Sequence, residues 1–254
     1  MIDSHCHLDF EVFDEDREQI LQNCADSGIS KILIPGTTIP GFSKQRQLVE
    51  TFPQLDIAIG LHPYFLDDSY EIQLEDLKKH LALHHEQVIA IGETGLDLAI
   101  IDKVPLAVQK LAFSVHLELA TQYDLPVILH HRKSHNDLIQ ILKQVNFKNG
   151  GVVHAFSGSL QMAKEYMELG FKLGAGGSIT YPRANKTRNT FTQVPLNAIL
   201  LETDAPDMPV YGKQGRANSP LNLPDIVGAL CELRNETEEQ VITQTTQNYH
   251  CLLY

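Results

Sequence analysis

No Cys-x-x-Cys pair occurs in this chain, and its four cysteines, Cys6, Cys24, Cys231 and Cys251, follow no regular spacing over 254 residues. That pattern argues against a disulfide framework and predicts reduced thiols that serve as packing residues. No apolar run approaches the length needed to span a bilayer, and the first strand-like run begins at residue 2, which leaves no room for a basic and apolar leader. The expectation is a cytoplasmic protein with no membrane partner. There is no basic surplus either. The formal net charge is −12, which disfavours a protein that coats duplex nucleic acid through many phosphate contacts but leaves room for a local basic patch. Internal repeats, low-complexity tracts and Pro/Ser-rich linkers are missing, so nothing marks a second domain, and no obligate protein partner is evident. With 43% hydrophobic residues the chain is long enough to bury one large core, and residues 1–254 read as a single domain.

What is present is an alternation. Short apolar runs stand at residues 2–7, 31–36, 56–62, 88–93, 126–130, 151–154, 171–176 and 198–204. Between them lie stretches with helical periodicity, among them 15–26, 106–123, 134–145 and 160–169. Strand-like runs alternating with helical segments predict βαβ units and a parallel sheet. Eight units in about 250 residues fit an α/β fold of the (β/α)₈ TIM-barrel type, with its chemistry at the C-terminal ends of the strands. A doubly wound open sheet is the competitor, but its Gly-x-Gly-x-x-Gly signature is absent after the first strand.

The run ends carry the chemistry. His5 and His7 flank Cys6; on an extended segment both imidazoles face one side while Cys6 faces the other, which makes a metal half-site. Further candidates are His62, Glu93, His130 or His131, His154 and Asp204, which a barrel would gather into one ring. A lone histidine on a barrel strand is more often a satisfied core or rim residue, whereas Glu93 and Asp204 close apolar runs where an unpaired carboxylate is costly to bury. His80, His84, His85 and His116 fall on helical segments as solvent-facing or packing residues. The imidazole and carboxylate mixture suits Zn²⁺, Mn²⁺, Fe²⁺ or Mg²⁺. Six protein ligands exceed the need of one tetrahedral ion, so two divalent ions sharing a carboxylate are expected. No lysine occurs in residues 88–98, and Glu93 is the natural bridge. A working assignment gives one ion His5, His7, Glu93 and Asp204, and the other Glu93, His130 and His154. Strand parity by itself leaves His130 and His131 open.

Taken together, Asp3-Ser4-His5-Cys6-His7-Leu8-Asp9, Gly60-Leu61-His62-Pro63, Gly92-Glu93-Thr94-Gly95-Leu96-Asp97, Pro126-Val127-Ile128-Leu129-His130, His154-Ala155-Phe156-Ser157-Gly158 and Glu202-Thr203-Asp204-Ala205-Pro206 resemble the TatD-like metal-dependent hydrolase (deoxyribonuclease) family, in its YjjV-type branch. The resemblance runs along essentially the whole chain. It implies a TIM-type barrel with two divalent ions, places His130 rather than His131 on the second ion, and implies phosphodiester hydrolysis, typically of DNA. The chain departs from the family at Thr94, Leu98, His131 and Ala155, of which Leu98 and His131 are expected to border the substrate pocket.

The expected mechanism is a metal-activated water attacking an ester that the ions polarise. Asp204 is the candidate proton acceptor, Glu93 the bridging carboxylate, and Glu202 a support for the ligands. For substrate, Arg132 and Lys133 follow the fifth run, Arg183, Lys186 and Arg188 the seventh, and Lys213 and Arg216 the eighth, in stretches free of Asp and Glu. Local positive charge on an acidic protein suits a substrate with one or a few phosphates, such as a DNA end, a short oligonucleotide or a small phosphodiester. His62, Arg132 and Arg183 are the substrate-binding candidates, with Tyr64 or Phe65 available to stack on a base. The alternatives are a barrel hydrolase of carboxylic esters, amides or lactones, including an aminoacyl-tRNA ester, because a metal hydroxide attacks carbonyl carbon as well, and a non-enzymatic metal-binding scaffold.

Overall fold

The computed structural model describes residues 1–254. All eight apolar runs form strands: β1 (Ile2–Asp3), β2 (Lys31–Ile34), β3 (Leu55–Ile59), β4 (Ala90–Asp97), β5 (Val127–Arg132), β6 (Gly151–Val153), β7 (Phe171–Ala175) and β8 (Ile199–Leu201). Each pairs in parallel with the next in sequence, giving one sheet in the order β1 to β8. The seam between β8 and β1 is closed by backbone hydrogen bonds just beyond the strands. Ser4 N–H donates to Leu201 O at 2.9 Å, Asp204 N–H to His5 O at 2.8 Å and His7 N–H to Ala205 O at 2.8 Å.

Nine helices accompany the strands: α1 (Arg17–Asp26), α2 (Ile39–Thr51), α3 (Tyr70–His84), α4 (Leu106–Tyr123), α5 (His135–Gln144), α6 (Leu160–Glu168), α7 (Asn185–Gln193), α8 (Leu223–Leu233) and α9 (Glu238–Leu253). Alternation along the strands divides the core in two, because successive side chains point to opposite faces. Val127, Leu129 and Val153 face outward into the large cluster beneath the helices. Ile2, Leu33, Ala58, Ile128, Val152 and Leu200 face inward and fill the barrel.

Helix α9 closes the N-terminal end of the barrel. It starts in a reciprocal capping box between Thr237 and Gln240 and sends Tyr249 and Leu253 into the inner cluster. The Tyr249 hydroxyl donates to Asp56 Oδ2 at 2.8 Å, and Lys31 Nζ lies 2.9 Å from Asp56 Oδ1. With that end plugged, the C-terminal rim is where the barrel interior opens. No helix is long and apolar enough to cross a membrane.

Three expectations change on folding. Cys6 and Cys24 are buried packing residues and Cys231 is half-buried, but Cys251 is exposed on α9. Leu98 and His131 do not border the central cavity. Leu98 packs against the outer core, and His131 sits on the helix-facing side of β5, its ring 6.0 Å from those of His135 and Tyr166.

Candidate metal centre

Strand parity decides which histidine of β5 enters the barrel. Ile128 lies in the inner cluster, so the side chain two residues on, His130, faces the interior. The same count on β6 takes Val152 inward and His154 after it. Glu93 reaches them because β4 approaches β5 without a side chain between: a Cβ on Gly95, which has φ 142, would collide with the His130 backbone.

Glu93 occupies the middle of the assembly, with 2% of its surface exposed. Its Oε1 lies 2.9 Å from His130 Nδ1, 2.9 Å from His154 Nε2 and 3.4 Å from His62 Nε2. Its Oε2 lies 3.3 Å from His5 Nε2 and 3.7 Å from His7 Nε2. Asp204 Oδ1 stands 3.5 Å from each of the same two imidazoles. The structure therefore brings His5, His7, Glu93, His130, His154 and Asp204 to one point, with the two Glu93 oxygens turned toward different partners.

These residues fit a bound divalent cation. His5 Nδ1 and Nε2, His7 Nδ1 and His154 Nδ1 are buried without a hydrogen-bond partner, a cost that a ligated ion would remove. His5, His7 and Glu93 offer donor atoms within 4.8 Å of one another. The mixture of imidazole and carboxylate donors is one that Zn²⁺, Mn²⁺, Fe²⁺ and Mg²⁺ accept.

Proton affinities record the same crowding. Burial works to lower the His154 imidazole, but Glu93, with Asp204 and Glu202 beyond it, lifts it to about 10. His5 goes the other way, to about 4, through burial and the neighbouring His154. Glu93 is held well below the usual carboxylate range: burial opposes this, and His154, His62, His5 and the His130 hydrogen bond overcome it. Glu202 is pushed up to about 8 by burial, against the pull of His154. Its Oε1 accepts the Ala155 amide while Oε2 has no partner, and Gly174 leaves the space it occupies. Glu202 thus sits behind His154, 4.0 Å from its Nδ1.

The hydrogen bonding of His62 fixes its neutral tautomer. Its Nδ1 accepts the Tyr64 amide at 3.0 Å, so a neutral ring carries its proton on Nε2 and presents a donor. Burial, the largest influence, lowers its proton affinity. The position of His62 depends on His116, a fully buried residue of α4. His116 Nε2 accepts the Leu61 amide at 2.9 Å, and its Nδ1 lies 2.7 Å from Ala112 O.

Asp97 is a site residue that the sequence reading passed over. It is 3% exposed, and its Oδ2 lies 3.3 Å from His130 Nε2 and 3.7 Å from Arg132. A carboxylate on the far nitrogen orients a histidine and raises its basicity as a ligand. The signal was available, since residues 93, 95 and 97 share one face of β4.

The centre opens into a cavity of about 300 Å³ whose walls include His62, Tyr64, Phe65, Arg132 and Asp207. Lys103 Nζ stands 3.4 Å over the Tyr64 ring and covers one of its faces. Several basic residues expected around this mouth are elsewhere or engaged. Arg183 does not line the central cavity but a neighbouring one, between the segments that follow β7 and β8. Arg188 donates to Ile179 O, and Lys213 pairs with Asp225 at 2.7 Å. Of that group, Arg132 is the basic side chain that lines the centre.

Residues 2–253 match the family model of TatD related DNases. Over 251 residues the chain is 43% identical to YjjV of Escherichia coli strain K12, an uncharacterized metal-dependent hydrolase, covering 99% of this chain and 96% of the relative. It is 38% identical over 252 residues to an uncharacterized metal-dependent hydrolase of Haemophilus influenzae, covering 97% and 96%. The crystal structure of YjjV superimposes with a TM-score of 0.95 at 42% identity, covering 100% of this chain and 97% of that one. A TatD family hydrolase from Entamoeba histolytica, 22% identical and covering 100% and 98%, shares the fold with a TM-score of 0.88.

Proposed function

The chain belongs to the family of TatD-related DNases, and on that premise we propose that it is a metal-dependent hydrolase of phosphodiester bonds in DNA ends or short oligonucleotides. The observation that carries the reading is the placement of Glu93. One oxygen faces His5 and His7, beside Asp204, and the other faces His130 and His154. In this reading His5, His7, Glu93 and Asp204 would hold one divalent ion, and Glu93, His130 and His154 would hold a second. Divalent ions held there would supply Lewis acidity to the phosphoryl oxygen and would lower the pKa of the attacking water.

The remaining work falls to side chains of this chain. Asp204 turns Oδ1 to the two imidazoles, leaving Oδ2 to accept the proton of the attacking water as general base. Histidine neighbours favour the ionised Asp204 carboxyl: burial raises its proton affinity, and His7, His154 and His5 bring it below the usual value. His62, whose Nε2 lies 3.4 Å from Glu93 Oε1, would turn that donor to a phosphoryl oxygen of bound substrate, and Arg132, largely exposed at the rim, attracts the phosphate and forks onto it. Asp97 holds His130 in orientation. Phe65 and the open face of Tyr64 offer a flat surface to a base.

The test is metal analysis of the purified protein followed by hydrolysis assays across Mg²⁺, Mn²⁺ and Zn²⁺. Substrates are a bis(aryl) phosphate and 3′-recessed DNA, set against a panel of carboxylic esters, amides and lactones. Turnover of the phosphodiesters supports the proposal. Turnover confined to the carbonyl substrates replaces it with the carboxylic hydrolase reading.

A further inference from the structure

We propose that the cavity between the segments following β7 and β8 is a second nucleotide subsite, which seats the base and phosphate of a single strand next to the bond being cleaved. This rests on the reading of the central site as a phosphodiesterase.

The cavity holds about 590 Å³ and is lined by Ser178, Tyr181, Arg183, Ala184, Met208 and Pro209. It lies on the same rim as the metal centre, separated from it by one short segment. Asp207 lines the central cavity, and Met208, the next residue, lines this one. That partition is pinned by the buried Asn218. Its amide side chain donates to Thr203 O at 2.8 Å and Met208 O at 3.3 Å, and its backbone N–H donates to Pro206 O at 2.8 Å. Neighbouring groups of one strand can therefore occupy the two cavities at once.

Its chemistry suits a base with a phosphate. The Tyr181 ring is fixed by its hydroxyl, which donates to Pro209 O at 2.7 Å, and by the edge of Tyr211 at a centroid distance of 5.7 Å. Met208 is 38% exposed and stands at φ 51, so a polarizable apolar side chain is held at the cavity wall in a backbone conformation unusual for it. The Arg183 guanidinium lies over one face of the Tyr181 ring, 5.8 Å from its centroid, and makes no ion pair or hydrogen bond within the chain, unlike Arg188 and Lys213 nearby. A flat ring under a guanidinium that has no other partner stacks a nucleobase, with Arg183 released onto its phosphate. The base must be unstacked to reach the ring, which selects single-stranded over paired nucleic acid.

The experiment measures binding of a fluorescein-labelled single-stranded hexanucleotide by anisotropy, alongside hydrolysis of bis(p-nitrophenyl) phosphate with Mn²⁺. Arg183→Gln and Tyr181→Leu are expected each to weaken oligonucleotide binding about tenfold, within the range for loss of one base–aromatic stack, and Tyr181→Phe, which keeps the flat ring, to restore it. Equal binding by wild type, Arg183→Gln and Tyr181→Leu overturns the subsite. A wild type that cleaves no diester overturns the central reading instead, and the anisotropy series still decides the subsite.

Discussion

Asp204 and His5 are joined twice across the barrel seam: the Asp204 amide donates to the His5 carbonyl at 2.8 Å, and Asp204 Oδ1 lies 3.5 Å from His5 Nε2. The first contact continues the sheet and the second assembles the centre. Closing the barrel and gathering the donors are therefore one event, which couples the stability of the fold to anything the donors bind.

Replacing Asp204 by Asn keeps the side-chain shape and removes the anionic proton acceptor. The expected result is a loss of kcat on bis(p-nitrophenyl) phosphate of about 10²–10⁴-fold, the range for a general base, with the cooperative unfolding transition retained. Near-normal turnover in metal-replete protein would remove Asp204 from the role.

Cation binding should raise the melting temperature. An ion present at 100 times its Kd adds about 2.7 kcal/mol, which for a domain of this size corresponds to a shift of about 5–10 °C. Thermal scans with EDTA and with each of Mg²⁺, Mn²⁺ and Zn²⁺ check this. A melting temperature indifferent to all three would contradict the metal centre.

His116 acts on the site from the outer core, through the Leu61 amide that precedes His62. His116→Leu leaves that amide buried without an acceptor, and the expected destabilisation is about 1–3 kcal/mol by urea unfolding. Phosphodiester kcat/KM should fall as well, because His62 loses its anchor. Unaltered stability and kinetics would show that the Leu61 contact contributes nothing.

Two glycines predict opposite outcomes for the same substitution. A Cβ at Gly174 collides with the Glu202 carboxylate, whereas one at Gly228, exposed in α8, meets nothing within 4 Å. Gly174→Ala should destabilise by about 1–3 kcal/mol through overpacking, and Gly228→Ala should stabilise by about 0.5–1 kcal/mol. Calorimetry on both variants reads the difference, and equal shifts would refute the account of the Glu202 cradle.

Local features were legible without a structure because they obey short periods. The eight apolar runs and the 106–123 helix follow from spacing along the chain, and the donors are recognisable because each stands at or just past the end of such a run. Asp97 was missed although its shared face with Glu93 marks it, because it lies past the end of the 88–93 run at which the donors were sought. The basic loop residues misled for another reason. A cation's position in sequence does not reveal whether it meets Asp225, as Lys213 does, or solvent.

By itself the sequence determined the alternating architecture and marked the candidate donor side chains, with the family resemblance preferring His130 over His131, since hydrophobic period and residue chemistry are properties of single segments. Tertiary structure decided how they are presented: His130 enters the barrel while His131 faces the helices, His62 is held beside Glu93, and Arg183 belongs to a neighbouring cavity. Each of those outcomes depends on a contact between residues distant in the chain: an inner core that sets the phase of β5, a buried His116 that anchors the His62 segment, and a short loop after β8 that divides the rim.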